Sequence, residues 1–315
     1  MRPADRVAVF GADTLVGAAI VRELQRLGLS PGLVPSAGLA QPGAAEAAFD
    51  RLRPDYVFLA AGESGGIEAN RARPADLMLD NIYACCNVIR AALARPLKKL
   101  LYLASSCSYP RDCPQPMKEE YLFTGPLEPT NEAYATAKLA ALVLCQACRA
   151  QHGSPFITAI PANPYGPGDD FDPQNAHVIP ALIRRMDQAK RSRQPRVTIW
   201  GSGAPQREFI YAGDLASACL HVMDHYDSPQ PINLGGGQTV SIAQLAAQIR
   251  EVVDYPGELE FDRSKPDGMP VKALDAARLL ALGWRPRVSL RQGLEQTYAW
   301  YLDAGRPDVA PPQRP

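Results

Sequence analysis

Tyr134 and Lys138 stand four residues apart, a spacing that puts both side chains on one face of a helix. An ammonium beside a phenol favours the phenolate, and is expected to lower a pKa of about 10 towards working pH so that the phenol can exchange a proton with a substrate oxygen. Ser105 directly follows an apolar run over residues 100–104 that reads as a strand. In an open α/β sheet this is the carboxyl edge, where ligands bind, and the hydroxyl could reach the same oxygen. Together the three side chains would polarise a carbonyl. A Tyr-x-x-x-Lys pair alone is common on solvated helix faces, so the reading rests on what precedes it along the chain.

What precedes it is a glycine turn. Gly11, Ala12, Asp13, Thr14, Leu15, Val16 and Gly17 lie between an apolar run over residues 6–10 and a helical pattern over residues 15–27. There, backbone N–H groups and a helix N-terminus can hold a pyrophosphate. The spacing is that of G-x-x-G-x-x-G with Thr14 on the middle glycine, where the backbone comes closest to phosphate, so its side chain is expected to crowd a cofactor or displace it. A bland strand-to-helix turn would look similar. No acidic residue near residues 32–36 is evident for a ribose 2′-hydroxyl, and no arginine for a 2′-phosphate, which leaves NAD and NADP undistinguished.

The elements that must position these groups alternate. Strands are expected over residues 6–10, 56–61 and 100–104, with helices over residues 15–27 and 77–94 between them. That order predicts an α/β fold with a doubly wound parallel sheet covered on both faces. Apolar runs at 156–160 and 197–200 are expected to extend the sheet. After residue 162 the string NPYGPGDDFDPQN breaks the rhythm, and a smaller substrate-binding part is expected over residues 163–304, with helices over 178–189 and 242–253. The first part, residues 1–162, should be re-entered near residues 205–235. Residues 305–315 carry too little apolar content to order themselves.

At 315 residues, one large α/β unit with a smaller substrate part is the expected size class. The 33 basic and 33 acidic residues cancel, which removes the electrostatic case for nucleic acid or an acidic membrane as partner. Asp5 and Arg6 interrupt any leader-like start, and no stretch has the length of a membrane span, so a cytoplasmic location is expected. Seven irregularly spaced cysteines suggest reduced thiols. Cys145 and Cys148 form a C-x-x-C on an expected helix without a second ligand pair; they read as core, and no metal site is expected.

A nucleotide turn, then a serine pair after a strand, then Tyr-x-x-x-Lys opening a helix resembles the extended short-chain dehydrogenase/reductases. Within them SSCSYP (residues 105–110) and EPTNEAYATAK (residues 128–138) closely resemble the GDP-L-fucose synthase family. GGIEAN with PAD downstream, NPYGP, AHVIPALIRR, WGSG with REF, and SKPDG followed by Lys272 occur in the family's order, over about residues 6 to 302. The resemblance implies a Rossmann-type dinucleotide domain with a smaller C-terminal substrate domain, NADP(H) as cofactor and a GDP-sugar as substrate. It also implies a homodimer, with the apolar stretch over residues 139–148 as its contact. The implied reaction takes GDP-4-keto-6-deoxy-D-mannose to GDP-L-fucose by epimerisation at C3 and C5 and hydride transfer to C4.

Carried over by motif, Ser105, Tyr134 and Lys138 are the reductase triad, and Cys107 and His177 the epimerisation acid and base. Ala60, Ala61, Gly62, Pro161, Asn163 and His177 join the glycine turn, Tyr134 and Lys138 at the cofactor. Asn163, Val178, Leu182, Arg185, Trp200, Arg207 and Lys272 would meet the GDP-sugar; a guanidinium suits bidentate phosphate recognition. Each has an ordinary reading too: Cys107 a small buried thiol, His177 a structural histidine, Arg185 a solvated neighbour of Arg184, Trp200 core. The departures cluster on the cofactor side. The family turn reads approximately GHRGMVG, so Asp13 replaces an arginine and Thr14 a glycine; LVPSAG lacks the second-strand arginine, and Glu63 replaces a lysine. These losses should weaken NADPH and leave NAD(H) open. The readings left are a fucose synthase, a GDP-sugar epimerase or 4-reductase with altered cofactor or substrate, and a non-catalytic dinucleotide-binding protein.

Overall fold

The computed structural model describes residues 1–306 apart from Pro3 and Pro266; of the expected unordered tail, residues 307–315 lie outside the described residues. In chain order the strands are Val7–Phe10 (β1), Gly32–Val34 (β2), Tyr56–Leu59 (β3), Lys99–Leu103 (β4), Phe156–Pro161 (β5), Asn163–Tyr165 (β6), Arg196–Trp200 (β7), Gln206–Tyr211 (β8), Ile232–Leu234 (β9), Gln238–Ser241 (β10), Glu258–Asp262 (β11) and Val271–Lys272 (β12). The helices are Leu15–Arg26 (α1), Ala44–Leu52 (α2), Ile67–Ala72 (α3), Pro74–Leu93 (α4), Glu132–His152 (α5), Val178–Arg191 (α6), Ala212–His225 (α7), Ile242–Val253 (α8), Ala277–Ala281 (α9) and Leu290–Asp303 (α10).

β1 is apolar at every position and wholly buried, because a strand covered by helices on both faces has no solvent side on which to alternate. Six strands form a sheet in the order β2-β1-β3-β4-β5-β9, and each pairing is parallel. This is a Rossmann-type doubly wound sheet. Its order reverses between β1 and β3, and at such a switch point the loops leaving the two strands diverge and open a crevice. The turn after Phe10 and the loop after Leu59 therefore face each other, held by Ala60 N donating to Phe10 O at 2.8 Å.

The run over residues 197–200 does not extend this sheet. β7 pairs in parallel with β11 as a separate two-stranded ribbon, and β8 pairs with β10, β12 and β6. An apolar run of this length forms a strand wherever one face is buried; Val197 and Ile199 are buried while Arg196 and Trp200 are exposed. The buried apolar side chains accordingly fall into two clusters. One fills the six-stranded sheet and includes Phe10, Phe49, Phe58 and Tyr102, together with residues of α7, β9 and α9. The other joins α6, α8 and α10 to β7 and β8 through Phe171, Ile183, Leu245 and Tyr301. Cys145 and Cys148 are buried in the first cluster and unbonded.

Two glycines of the first turn are demanded by close approach. Gly11 adopts φ +86°, and a Cβ there would lie 2.6 Å from the Ala60 backbone; a Cβ on Gly17 would lie 1.9 Å from Gly11 O. Backbone on both sides cannot yield to a methyl group without moving α1 away from β1. Gly17→Ala is expected to destabilise the fold by about 1–3 kcal/mol, the usual cost of overpacking. An unchanged midpoint in urea unfolding would show that the turn relaxes freely.

Candidate functional site

The turn after β1 keeps its shape through Thr14. This residue is the N-cap of α1, and its Oγ1 accepts from Gly17 N at 3.0 Å and donates to Gly11 O at 2.8 Å. The Thr14 hydroxyl is thus engaged inside the turn, where it satisfies the helix start. The first turn of α1 carries no acidic residue, so its N-terminal partial charge is not cancelled there. Asp13, the exposed residue before the cap, accepts from Ser36 N at 2.6 Å, and Ser36 Oγ in turn accepts from Gly62 N at 2.9 Å. The loops crowning β1, β2 and β3 are thus tied together at the sheet's carboxyl edge.

Leu15 and Val16 enter α1, while Ala60, Ala61 and Gly62 form the loop after β3, two residues of which were expected to be strand. Gly62 adopts φ +113°, and a Cβ would fall 2.2 Å from Asn81 Oδ1 and 3.2 Å from Lys138 Nζ. Asn81, buried in α4, donates to Glu63 O and Leu77 O, each at 2.8 Å. Glu63 itself lies 3.9 Å from Arg73. These close backbone approaches make a cradle that fits a dinucleotide laid over the switch point.

Ser105 ends the approach from β4 and caps a short 3-10 turn, Ser106–Ser108, its Oγ accepting from Cys107 N at 3.2 Å. Tyr134 and Lys138 lie on the first turns of α5, as their spacing predicts. Lys138 is buried and donates to Ala61 O at 3.3 Å, linking α5 to the loop after β3. The expected lowering of the Tyr134 pKa does not occur. Burial pushes the phenol up, Cys107 pushes the same way, and only the Ser105 hydroxyl pulls it down. The ammonium sits over the ring face, 5.7 Å from its centre, with one N–H directed to the Ala61 carbonyl. Burial also lowers the Lys138 pKa. The triad thus holds Tyr134 as a protonated phenol.

Beside the triad is a second group centred on sulfur. Cys107 Sγ accepts from Asn131 Nδ2 and from Lys272 Nζ, each at 3.3 Å. Lys272 on β12 is the register partner of Arg207 on β8, and Arg207 is anchored to Met269 O at 2.6 Å and Gln206 O at 2.7 Å. His177 occupies the N-cap of α6 without capping it and lies at the surface as a residue. The protein packed behind it still depresses its pKa; Asp170 opposes that shift and Lys272 adds to it. The same lysine thus acts on Cys107 by contact and on His177 through its charge.

The remaining predicted contacts form a wall of their own. Arg185 on α6 donates to Thr198 O of β7, and Trp200 at the end of β7 is exposed with Lys265 Nζ over its ring at 5.5 Å. Val178 is half-buried, whereas Leu182 is buried in the second cluster and backs the wall from behind. Pro161 ends β5, and Asn163 begins β6, where its side chain donates to Glu208 O at 2.8 Å. Glu208 is buried beside Arg207 and accepts from Gly236 N, Gly237 N and Leu274 N. It fixes the strand that carries Arg207 against the one that carries Lys272.

Sequence reasoning passed over Asn131, Asn81 and Glu208. Asn131 had a detectable signal: an asparagine at the residue before a helix normally caps it, yet this side chain makes no cap and goes to the sulfur instead. Its Oδ1 is buried without a partner.

Comparison with known proteins agrees with this geometry. The family described as "NAD dependent epimerase/dehydratase family" matches residues 7–235. GDP-L-fucose synthase 1 of Arabidopsis thaliana is 47% identical over 300 residues, 94% of this chain and 93% of that protein. A GDP-6-OMe-4-keto-L-xylo-heptose reductase from C. jejuni superposes with a TM-score of 0.90 at 30% identity, covering 96% of this chain and 99% of the other. A GDP-L-fucose synthetase from Naegleria fowleri, bound to NADP, superposes with a TM-score of 0.88 at 27% identity, covering 98% and 97%.

Proposed function

The chain belongs to the GDP-L-fucose synthase family, within the NAD dependent epimerases/dehydratases, and we propose that it converts GDP-4-keto-6-deoxy-D-mannose to GDP-L-fucose. The observation that carries this reading is the meeting of two chemical groups at one place. Ser105, Tyr134 and Lys138 suit a carbonyl, and Cys107 with Lys272 and His177 suits carbon-bound protons. A 4-keto group acidifies the hydrogens at C3 and C5, so at each carbon a base removes the proton to give an enolate and an acid delivers a different proton to the other face.

In this reading Ser105 and Tyr134 hold the C4 oxygen while negative charge develops on it. Cys107 and His177 exchange protons at C3 and C5. Asn131 and Lys272 hold the sulfur in place. Arg185, Arg207 and Lys272 bind the diphosphate, and Asn163, Val178 and Trp200 line the rest of the GDP-sugar site with Leu182 behind them. A nicotinamide dinucleotide, held by residues 11–17 and 60–62 with Lys138, Pro161 and Asn163, supplies the hydride when bound. Tyr134 then gives its proton to the C4 oxygen. The family resemblance points to NADP(H), whereas Asp13 in place of the family's arginine leaves NAD(H) open.

The test is turnover. Purified protein given GDP-4-keto-6-deoxy-D-mannose and reduced nicotinamide should form GDP-L-fucose, and in deuterated water without reductant it should place deuterium at C3 and C5. Absence of both would overturn the reading, and would leave a dinucleotide-binding role.

The protein is proposed to act as a cytoplasmic homodimer; its seven unbonded cysteines are in keeping with a reducing compartment. No described helix is long and apolar enough to cross a membrane. Half of the apolar stretch over residues 139–148 faces inward, with Leu139, Ala141, Leu142, Cys145 and Cys148 buried. What α4 and α5 offer a partner is instead Leu79, Tyr83 and Val143, exposed on two helices packed side by side. Light scattering should give twice the 34.1 kDa chain mass, and the pair Tyr83→Glu and Val143→Glu should halve it.

A further inference from the structure

The end of β2 lacks an acidic residue in sequence, yet it does not lack a carboxylate in space. Asp13, 23 residues before Ser36, reaches it and accepts from its backbone N–H at 2.6 Å. In a dinucleotide fold this point at the end of the second strand is where the adenosine ribose lies. A carboxylate there accepts from the 2′-hydroxyl, and a cation there receives a 2′-phosphate.

Resting on the reading of this cleft as a nicotinamide-dinucleotide site, we infer that Asp13 selects a cofactor with a free ribose 2′-hydroxyl, NAD(H), and repels one with a 2′-phosphate. Three observations support it. Asp13 is exposed at the rim while one of its oxygens is engaged by Ser36, so the charge is both fixed and presented. Ser36 is itself fixed, through Gly62 N donating to its hydroxyl, which leaves the β2 loop little freedom to withdraw. No lysine, arginine or histidine occurs between Arg26 and Arg51, or within residues 11–16 and 60–66, so the crowning loops hold nothing to neutralise a phosphate. Glu63 adds a second anion to the third loop, and the guanidinium near it, Arg73, also donates to Asn175, away from β2. A 2′-phosphate would therefore bring negative charge against Asp13 with no compensating cation, whereas a hydroxyl would gain a charge-assisted hydrogen bond.

Calorimetric titration of the full-length protein with NADH and with NADPH tests this. NADH should bind more tightly by about 10- to 100-fold, the range of one hydrogen bond to a charged group. Asp13→Asn keeps an oxygen for Ser36 N while removing the charge, and should narrow that ratio mainly by improving NADPH. Asp13→Ala combined with Ser36→Arg should invert it. Raised salt should narrow the wild-type ratio, since the penalty on NADPH is a charge repulsion. Tighter NADPH binding by the wild type, an unchanged ratio in Asp13→Asn, or binding of neither nucleotide would overturn the inference. NADH preference without turnover of the GDP-4-keto sugar would instead sink the proposed reaction and leave the inference standing; turnover with NADPH preference would do the reverse.

Discussion

Replacing Tyr134 by phenylalanine is expected to lower the rate of C4 reduction by about 10²- to 10⁴-fold, the usual contribution of a positioned general acid. Exchange of solvent deuterium into C3 and C5 is expected to fall much less. The reason lies in the protonation state of the phenol. Burial raises the Tyr134 pKa, Ser105 only partly offsets it, and the Lys138 ammonium is committed to Ala61 O rather than to the phenol oxygen. Tyr134 therefore rests with its proton on, which is the state needed when hydride arrives at C4 and the oxygen must be protonated. Enolisation asks less of it, because Ser105 can still donate to the C4 oxygen.

The protonation states of Tyr134 and Lys138 fix the pH dependence of reduction. The proton on Tyr134 is retained well into the alkaline range, so loss of the acid itself does not set the upper limit. Lys138 does: burial lowers its pKa from 10.5, and its deprotonation removes the positive charge that holds the Ala61 carbonyl. Reduction should fall on the alkaline side below the ordinary lysine range, and in Lys138→Arg that limb should move to higher pH. Single-turnover rates measured against pH would show this. A limb unmoved in Lys138→Arg would show that Lys138 does not set it, and a parallel loss of exchange and reduction in Tyr134→Phe would mean that the phenol only holds the carbonyl and does not supply the proton.

These roles differ in how openly the sequence displays them. Tyr134, Lys138 and Ser105 are legible because helix periodicity and strand-end position follow from local spacing, and α5 and β4 form where that spacing places them. The turn residues are not, because spacing says where a residue sits along the chain and not which way its side chain points. Thr14 occupies a position that favours glycine, yet its hydroxyl caps α1 from inside the turn. Asp13 looks like an anion misplaced at a phosphate site, and its bond to Ser36 appears only once β1 and β2 are side by side. Residues 197–200 show the complementary failure. Their pattern is that of a strand, and a strand they become, but an apolar run does not record which sheet will bury it; β11, some 60 residues later, decides that.

Substituting Cys107 by alanine is expected to lower deuterium exchange at the sugar carbons by about 10²- to 10⁴-fold, while leaving the affinity for the reduced dinucleotide unchanged. Two donors converge on this sulfur, the Asn131 amide and the Lys272 ammonium, both at 3.3 Å. An inert core thiol would have no need of either, as with Cys219, which is buried in the first apolar cluster. Serine at position 107 separates the two explanations, since it preserves size and hydrogen bonding but is a far weaker acid than a thiol. If Cys107 only packs, Cys107→Ser will exchange protons like the wild type. If the sulfur carries the proton, Cys107→Ser will be nearly as impaired as Cys107→Ala, and Lys272→Met will lose part of the exchange as well because the sulfur loses its charged partner. A ketosugar already epimerised at C3 and C5 should still be reduced by Cys107→Ser, since Tyr134 and Ser105 act at C4 without it. Failure of that substrate would place Cys107 in the reduction rather than in the movement of carbon-bound protons.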